Sequence, residues 1–243
     1  MKNIALVTGA SGTIGSAIAK HLLLNNIEVI MQYHQHLDRI KEIEQQFINH
    51  QVRLWTIQAD LSTIEGINNL FLHIARLGLH PSILINAAGI SHYGLIQDVS
   101  FKEWQKVIHS HVLSAYFCSQ KVIPEMIKNK YGRIVNISSI WGEKGAANEV
   151  LYSMAKGAIN TFTKALAKEL APSGITVNAI APGIVMSDMM ANFSQLELEE
   201  MKKEIPLQRF ASPSEIAEWV YHFLDSNSAY VTGQIIHIDG GWN

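Results

Sequence analysis

The chain is poor in cysteine, in charge and in long apolar runs, and each scarcity excludes something. A single cysteine, Cys118, cannot close an internal disulfide, which fits a reducing compartment. Charged residues make up 16% of the 243 positions and the formal net charge is -2, which leaves no basic face for nucleic acid and no acidic tail. The stretch from Met1 to Gly9 holds only four consecutive apolar residues before its glycine, too few for a secretion signal or a membrane span. No repeat and no low-complexity linker interrupts the chain. The expected setting is cytoplasmic, without nucleic-acid or membrane partners.

What is present is an alternation of short Val- and Ile-rich runs with helix-periodic segments. Strands are expected near Ile4-Val7, Val29-Gln32, Arg53-Gln58, Ile83-Ile85, Ile134-Ile137, Thr176-Ile180 and Gln234-Ile238. Seven strands separated by helices predict an α/β fold with a doubly wound parallel sheet and helices on both faces. The whole length, 1–243, is within reach of one domain. Ser62-x-x-Glu65 and Ser100-x-x-Glu103 read as capping boxes, and Ser212-Pro213-Ser214-Glu215 adds proline at a first helical position. The polar, irregular segment 186–210 is expected to act as a substrate lid.

Two stretches carry chemistry. The first strand runs into Thr8-Gly9-Ala10-Ser11-Gly12-Thr13-Ile14-Gly15 and then into a helix-periodic segment, a strand, glycine-rich turn and helix in which backbone N–H groups can approach a pyrophosphate. After the second strand, Met31-Gln32-Tyr33-His34-Gln35-His36 offers no acid before Asp38 to take a ribose 2'-hydroxyl, which favours NADP over NAD, although no arginine stands there either. His34 and His36 are open to two readings, as phosphate partners or as solvated loop histidines. Asp60-Leu61 and Asn86-Ala87-Ala88-Gly89 close the third and fourth strands and can bound the same cofactor.

The second stretch runs from Ser138 to Lys156. Tyr152 and Lys156 are four apart and share a helix face, so the lysine can stabilise a phenolate and Tyr152 can exchange a proton with a carbonyl oxygen. Ser139 can steady that oxygen. Taken alone, Tyr-x-x-x-Lys is equally a surface pair on an amphipathic helix.

With the glycine-rich turn, Asn86-Ala87-Ala88-Gly89, Ser139, Tyr152-x-x-x-Lys156 and Pro182-Gly183 in this order, the chain resembles the short-chain dehydrogenases/reductases along its whole length. Within them it is similar to the 3-oxoacyl-carrier-protein reductases, as in the run Ala167 to Asn178 and in Val231-Thr232-Gly233-Gln234. The resemblance implies a Rossmann-type domain binding NADPH (NADP+), with Tyr152 as proton donor, Lys156 lowering its pKa and binding the nicotinamide ribose, and Ser139 holding the substrate oxygen. It further implies cofactor contacts at Gly9, Ser11, Gly12, Thr13, Ile14, Gly15, Tyr33, His34, Asp60, Leu61, Asn86, Ala88, Gly89, Pro182, Gly183 and Val185, with Ser187 on the carboxamide. No metal is implied. Family resemblance also implies a homotetramer or homodimer, with the helices Phe101-Asn129 and Tyr152-Ala171 at one interface.

Three departures qualify the resemblance. Thr13 replaces the middle glycine of the turn, Ala87 replaces the second Asn of Asn-Asn-Ala-Gly, and His111 stands where the family has an Asn that helps hold a proton-relay water. A neutral His111 is expected to serve that relay, because a second cation beside Lys156 is costly. The alternative is a packing histidine.

Trp141, Glu143, Glu149 and His92 are expected at the substrate lip, with Tyr93, Met189, Met190 and Phe193 as an apolar wall. Two glutamates would suit a substrate ammonium group. Ser91-His92-Tyr93-Gly94-Leu95-Ile96, Ser138 to Glu143 and Glu149 to Lys156 are also similar to the elongation factor P 5-aminopentanone reductases. The carrier of the ketone is therefore acyl carrier protein or elongation factor P, and Ser173, where carrier-protein reductases often have a basic docking residue, weakens the first. An alternative of another class is a catalytically weak NADP-sensing binding protein, raised by His111 and Ala87.

Overall fold

The computed structural model of the chain describes residues 3–187 and 193–242. All seven expected strands form: β1 Ile4–Thr8, β2 Glu28–Tyr33, β3 Leu54–Gln58, β4 Ile83–Asn86, β5 Gly132–Ile137, β6 Ile175–Pro182 and β7 Ile235–Ile238. They make one parallel sheet in the order β3-β2-β1-β4-β5-β6-β7. The order reverses between β1 and β4, whose ends are held in register at Thr8 and Asn86. Just beyond the carboxyl ends of that pair lies the crevice in which such sheets hold ligands.

The helices are α1 Thr13–Leu24, α2 Leu37–Phe47, α3 Ile64–Arg76, α4 Phe101–Ile108, α5 Ser114–Asn129, α6 Trp141–Lys144, α7 Val150–Leu170, α8 Gln195–Glu204 and α9 Pro213–Leu224. They cover both faces because strand side chains alternate. Ala5 and Val7 of β1 face the layer of α1, α2 and α9, joining Ile18, Ile40 and Val220. Leu6 faces the opposite layer of α3, α5 and α7, joining Ile67, Cys118 and Leu170. Leu6 and Leu84 are fully enclosed, each burial stabilising by about 1.5–3 kcal/mol.

Two of the three expected helix starts form as read. Ser100 and Ser212 each accept from the amide three residues on, while Glu103 and Glu215 reach back. The box at Ser62 does not form. Thr63 caps α3 through Gly66 instead, and the amide and hydroxyl of Ser62 are both drawn to the Asp60 carboxylate, at 2.9 and 2.7 Å. The long helix expected over Phe101-Asn129 runs through one π-helical turn, His109–Leu113, between α4 and α5. Segment 186–210 is less irregular than expected: α8 lies within it, started by a capping box of Ser194 and Glu197.

Candidate active site

The turn from β1 to α1 is shaped by close backbone approach. Gly9 sits at φ +63°, and a Cβ there would lie 2.8 Å from Ala88 Cα on β4's extension. A Cβ on Gly15 would lie 2.3 Å from the Gly9 carbonyl, so α1 presses on the turn only because glycine is there. Gly12 is the N-cap of α1 and offers no side-chain acceptor, which leaves the first-turn N–H groups at Thr13, Ile14 and Gly15 for an anion from outside the helix. The residues therefore fit the pyrophosphate of a dinucleotide, with Thr13 causing no break in the helix start. At Ala87, where the second Asn of the motif is missing, Thr8 Oγ1 holds the backbone, accepting from the amides of both Ala87 and Ala88 at 3.1 Å.

Around this turn several of the expected cofactor residues have protein partners of their own. Tyr33 and Leu61 are core residues, packed into opposite layers of the sheet. Asn86 is buried and donates to Asn136 Oδ1 at 2.8 Å and Ser119 Oγ at 3.3 Å, so it ties β4 to β5 and α5. His34 lies at the rim with Nδ1 3.9 Å from Asp60 Oδ1. Burial raises the Asp60 carboxyl, but Ser62 and His34 outweigh it and hold the group below its ordinary range. Pro182, Gly183 and Val185 are strapped to their surroundings by backbone bonds: Ile140 N–H to Pro182 O, Gly183 N–H to Ile238 O, and a bridge between Val185 and Ala211. Ser187 follows them, half-buried.

Two residues were missed from sequence. Gln32 is 2% exposed; its Oε1 accepts from Gly9 N–H at 2.8 Å and its Nε2 donates to Ala59 O at 2.7 Å, pinning the glycine turn to β2 and β3. Arg39, on α2, donates from Nη1 to Ser11 O at 3.2 Å. A cation thus stands over the glycine turn, although none is adjacent to the end of β2 in sequence.

The reactive set forms where β5 ends and α7 begins. Ser139 is 7% exposed, its Oγ accepts the Trp141 amide at 3.2 Å, and its hydroxyl is hydrogen-bonded to the Tyr152 phenol. Lys156 is buried, donating from Nζ to Ile137 O at 2.9 Å, with Nζ 5.4 Å from the centre of the Tyr152 ring. Burial pushes the phenol up to about 12, partly offset by Ser139 and reinforced by the Glu149 carboxylate. Burial pushes the Lys156 ammonium down to about 7. The surface-pair reading of Tyr152 and Lys156 is excluded. The expected lowering of the phenol's pKa by Lys156 is not what the geometry gives, because desolvation dominates both groups.

His111 closes the back of this set. Its ring stands edge-on to Tyr152 with centroids 5.5 Å apart, and its Nε2 lies 3.1 Å from Ile90 N and 2.8 Å from Ile90 O. Burial, and then the Lys156 charge, lower it to about 3, so it is neutral. The ring fills the space over Gly89, where a Cβ would meet Cε1 at 2.1 Å.

The four expected lip residues separate. Glu149, half-buried, takes a hydrogen bond from Trp141 and is close enough to act electrostatically on Tyr152; burial raises its pKa. Glu143 points elsewhere, with Oε2 3.0 Å from His237 Nε2 on β7. His92 lies toward Glu103 at the start of α4. Tyr93 is bridged to the loop before α7, where Asn148 Nδ2 donates to its hydroxyl at 3.2 Å and Gly94 N–H donates to Asn148 O at 2.7 Å. Phe193 is partly exposed, while Met189 and Met190 lie outside the described residues. Among the described residues no cluster of three or more His, Cys, Asp or Glu is arranged for a metal. No helix of the described residues is long and apolar enough to cross a membrane.

The family model described as short chain dehydrogenase matches residues 3–198. A protein of Bacillus subtilis named "Uncharacterized oxidoreductase YmfI" is 44% identical over 244 residues, covering 100% of each chain. The "3-oxoacyl-[acyl-carrier-protein] reductase FabG" of Aquifex aeolicus is 37% identical, covering 98% of this chain and 96% of its own. Among solved structures, YwfH, described as an NADPH dependent reductase involved in bacilysin biosynthesis, superposes with a TM-score of 0.93 at 25% identity, covering 100% of this chain and 99% of that one. The chain belongs to the short-chain dehydrogenase family.

Proposed function

We propose that the protein is an NADPH-dependent ketoreductase of the 3-oxoacyl-carrier-protein reductase type. The observation that carries this reading is the convergence of Ser139, Tyr152 and Lys156, from β5 and α7, on one buried point. NADPH, held by the Gly9–Gly15 turn and by Lys156, would supply the hydride to a carbonyl carbon. Tyr152, held protonated by its environment, gives its proton to the carbonyl oxygen. Ser139 donates a hydrogen bond to that oxygen, and Lys156 restores the phenol's proton and holds the ribose. His111, kept neutral, takes the place of the family's Asn behind them by holding the Ile90 turn and serving the proton relay.

NADPH is favoured over NADH by the absence of an acid after β2 and by Arg39 above Ser11, a cation suited to a 2'-phosphate. The relatives named as FabG support a 3-oxoacyl group on acyl carrier protein. Glu149 supports a second reading, a ketone that carries an ammonium group, as on the 5-aminopentanone-modified lysine of elongation factor P. Glu143, engaged by His237, supports neither. The protein acts in the cytoplasm as a homotetramer or homodimer, with residues 186–210 as its lid.

NADPH oxidation is measured with an acetoacetyl thioester and with 5-amino-2-pentanone. Tyr152→Phe is expected to lower turnover by about 10²-fold or more, as loss of a general acid does. Glu149→Gln lowers turnover of the amino ketone more than that of the thioester if the second reading holds, and equal loss for both substrates removes it. Tight NADPH binding without turnover of any ketone would instead favour a cofactor sensor.

A further inference from the structure

The C-terminal turn reaches the reactive set through one side chain. Asp239, Gly240 and Gly241 follow β7, with both glycines at positive φ, and the Asp239 carboxylate accepts the Gly241 amide at 2.9 Å. This turn delivers Trp242 to α6, the short helix that follows Ser139. Trp242 meets Trp141 edge to face, with ring centroids 5.2 Å apart at 65°. Lys144 Nζ donates to the Trp242 carbonyl at 2.6 Å, and Glu143 faces His237 of β7 at 3.0 Å, so β7 and the tail together hold α6 at Trp141, Glu143 and Lys144.

Trp141 is the member of that grip that touches the chemistry. Its amide donates to Ser139 Oγ, and its side chain is hydrogen-bonded to Glu149. Ser139 and Glu149 act on the Tyr152 phenol with opposite sign. From the other side, α6 is pressed on α7: a Cβ on Gly142 would lie 2.8 Å from the Lys156 carbonyl carbon. A displacement of Trp141 would therefore shift Ser139 through its amide and Glu149 through its indole, and the Trp242 ring packed against it opposes that displacement. An edge-to-face aromatic pair supplies a directional contact that an aliphatic side chain would not.

We propose that Trp242 is a positioning residue for the catalytic centre, acting through Trp141 to fix Ser139 and Glu149 around Tyr152. The inference rests on the ketoreductase reading for its kinetic consequence but not for its structural one. A misplacement of catalytic groups by a distant change can cost up to about 10²-fold in rate, and one lost ring contact is expected to cost about tenfold in kcat. The KM for NADPH is expected to stay within about twofold, since Trp242 meets Trp141 and Lys144, neither of which is an expected cofactor contact.

The experiment compares wild type, Trp242→Phe, Trp242→Ala, Trp141→Phe and the double variant Trp141→Phe/Trp242→Ala, all of the full chain. Thermal unfolding of each shows how much is folded, and rates are taken on the folded protein. Trp242→Phe should keep kcat near wild type, Trp242→Ala should lose it, and the double variant should lose no more than Trp141→Phe alone. Independently of any substrate, the 13Cζ resonance of Tyr152, assigned with Tyr152→Phe, reports the phenol's hydrogen bonding and should move in Trp242→Ala but not in Trp242→Phe. A Trp242→Ala protein with wild-type kcat and an unmoved Tyr152 resonance overturns the inference, and so do additive losses in the double variant. If wild type reduces no ketone, the ketoreductase reading falls while the resonance still decides the role of Trp242.

Discussion

Tyr152 and Lys156 are displaced in opposite directions by one cause, the removal of water, which keeps the phenol protonated and leaves Lys156 poised to gain or lose its proton near pH 7. Lys156 is a base whose folded pKa, about 7, lies below its ordinary 10.5. Below about 7 the folded protein carries a buried cation that the unfolded chain would solvate, so the full penalty is present there. Between 7 and 10.5 the unfolded chain holds the proton more tightly than the folded one, and stability rises with pH until the penalty vanishes. Lys156→Met removes this penalty and also removes the donor to Ile137 O, a loss that does not depend on pH. The difference in Tm between variant and wild type should therefore favour the variant most at pH 7 and shrink toward pH 10.5. A constant difference across that range would mean that burial does not depress Lys156. The pair itself was legible in the sequence because i, i+4 spacing fixes a shared helix face. Its electrostatics were not, because desolvation is set by what the rest of the chain packs around it.

The π-helical turn between α4 and α5 shows how an element can be organised around a single side chain. An extra residue in the turn lets His111 leave the helix surface and lie over Gly89, with Nε2 against the Ile90 backbone. Gly89 has no positive φ to explain it; the histidine ring explains it, since a Cβ would lie 2.1 Å from Cε1. Gly89→Ala should therefore lower Tm by several degrees, as an overpacked core site costing about 1–3 kcal/mol does, and should sharply reduce ketone turnover. His111→Asn in the same protein should restore most of the Tm by shortening the side chain. If the double variant is no more stable than Gly89→Ala, the ring is not what the glycine accommodates. Sequence signals for elements were good where they were local. The boxes at Ser100 and Ser212 needed only residues three apart, and the same pattern at Ser194 was available for α8. At Ser62 two hydroxyls stood side by side, and the Asp60 carboxylate decided which was left to cap the helix. Gln32 and Arg39 were not legible at all, because their partners at Gly9 and Ser11 lie 23 and 28 residues away.

On the scale of the molecule, the doubly wound sheet brings the ends of β1, β4, β5 and β6 to one edge, and every reactive group stands there. That arrangement follows from strand order, which the alternating pattern of strands and helices already implied. Among the described residues the opposite end of the sheet carries no such group; a hollow of about 540 Å³ between Phe47, His50 and Val52 lies there, beyond the end of α2. The outer face of α4 and α5 is different again. Phe101, Trp104 and Tyr116 are 72%, 39% and 49% exposed, and Phe101 stacks on Trp104 with centroids 5.9 Å apart. Tyr116 also meets Phe162 of α7, so aromatic side chains join the two helices named by family resemblance as an interface. A stable interface covers about 800 Å² on each partner and is centred on aromatic side chains. Placing a carboxylate at its centre buries an unpaired charge on every copy, which a self-complementary face meets twice. Sedimentation velocity of Tyr116→Glu and Trp104→Glu should show a smaller species than wild type at equal concentration, with NADPH binding retained because both are exposed and neither is an expected cofactor contact. Unchanged sedimentation in both variants would move the contact between subunits away from α4 and α5.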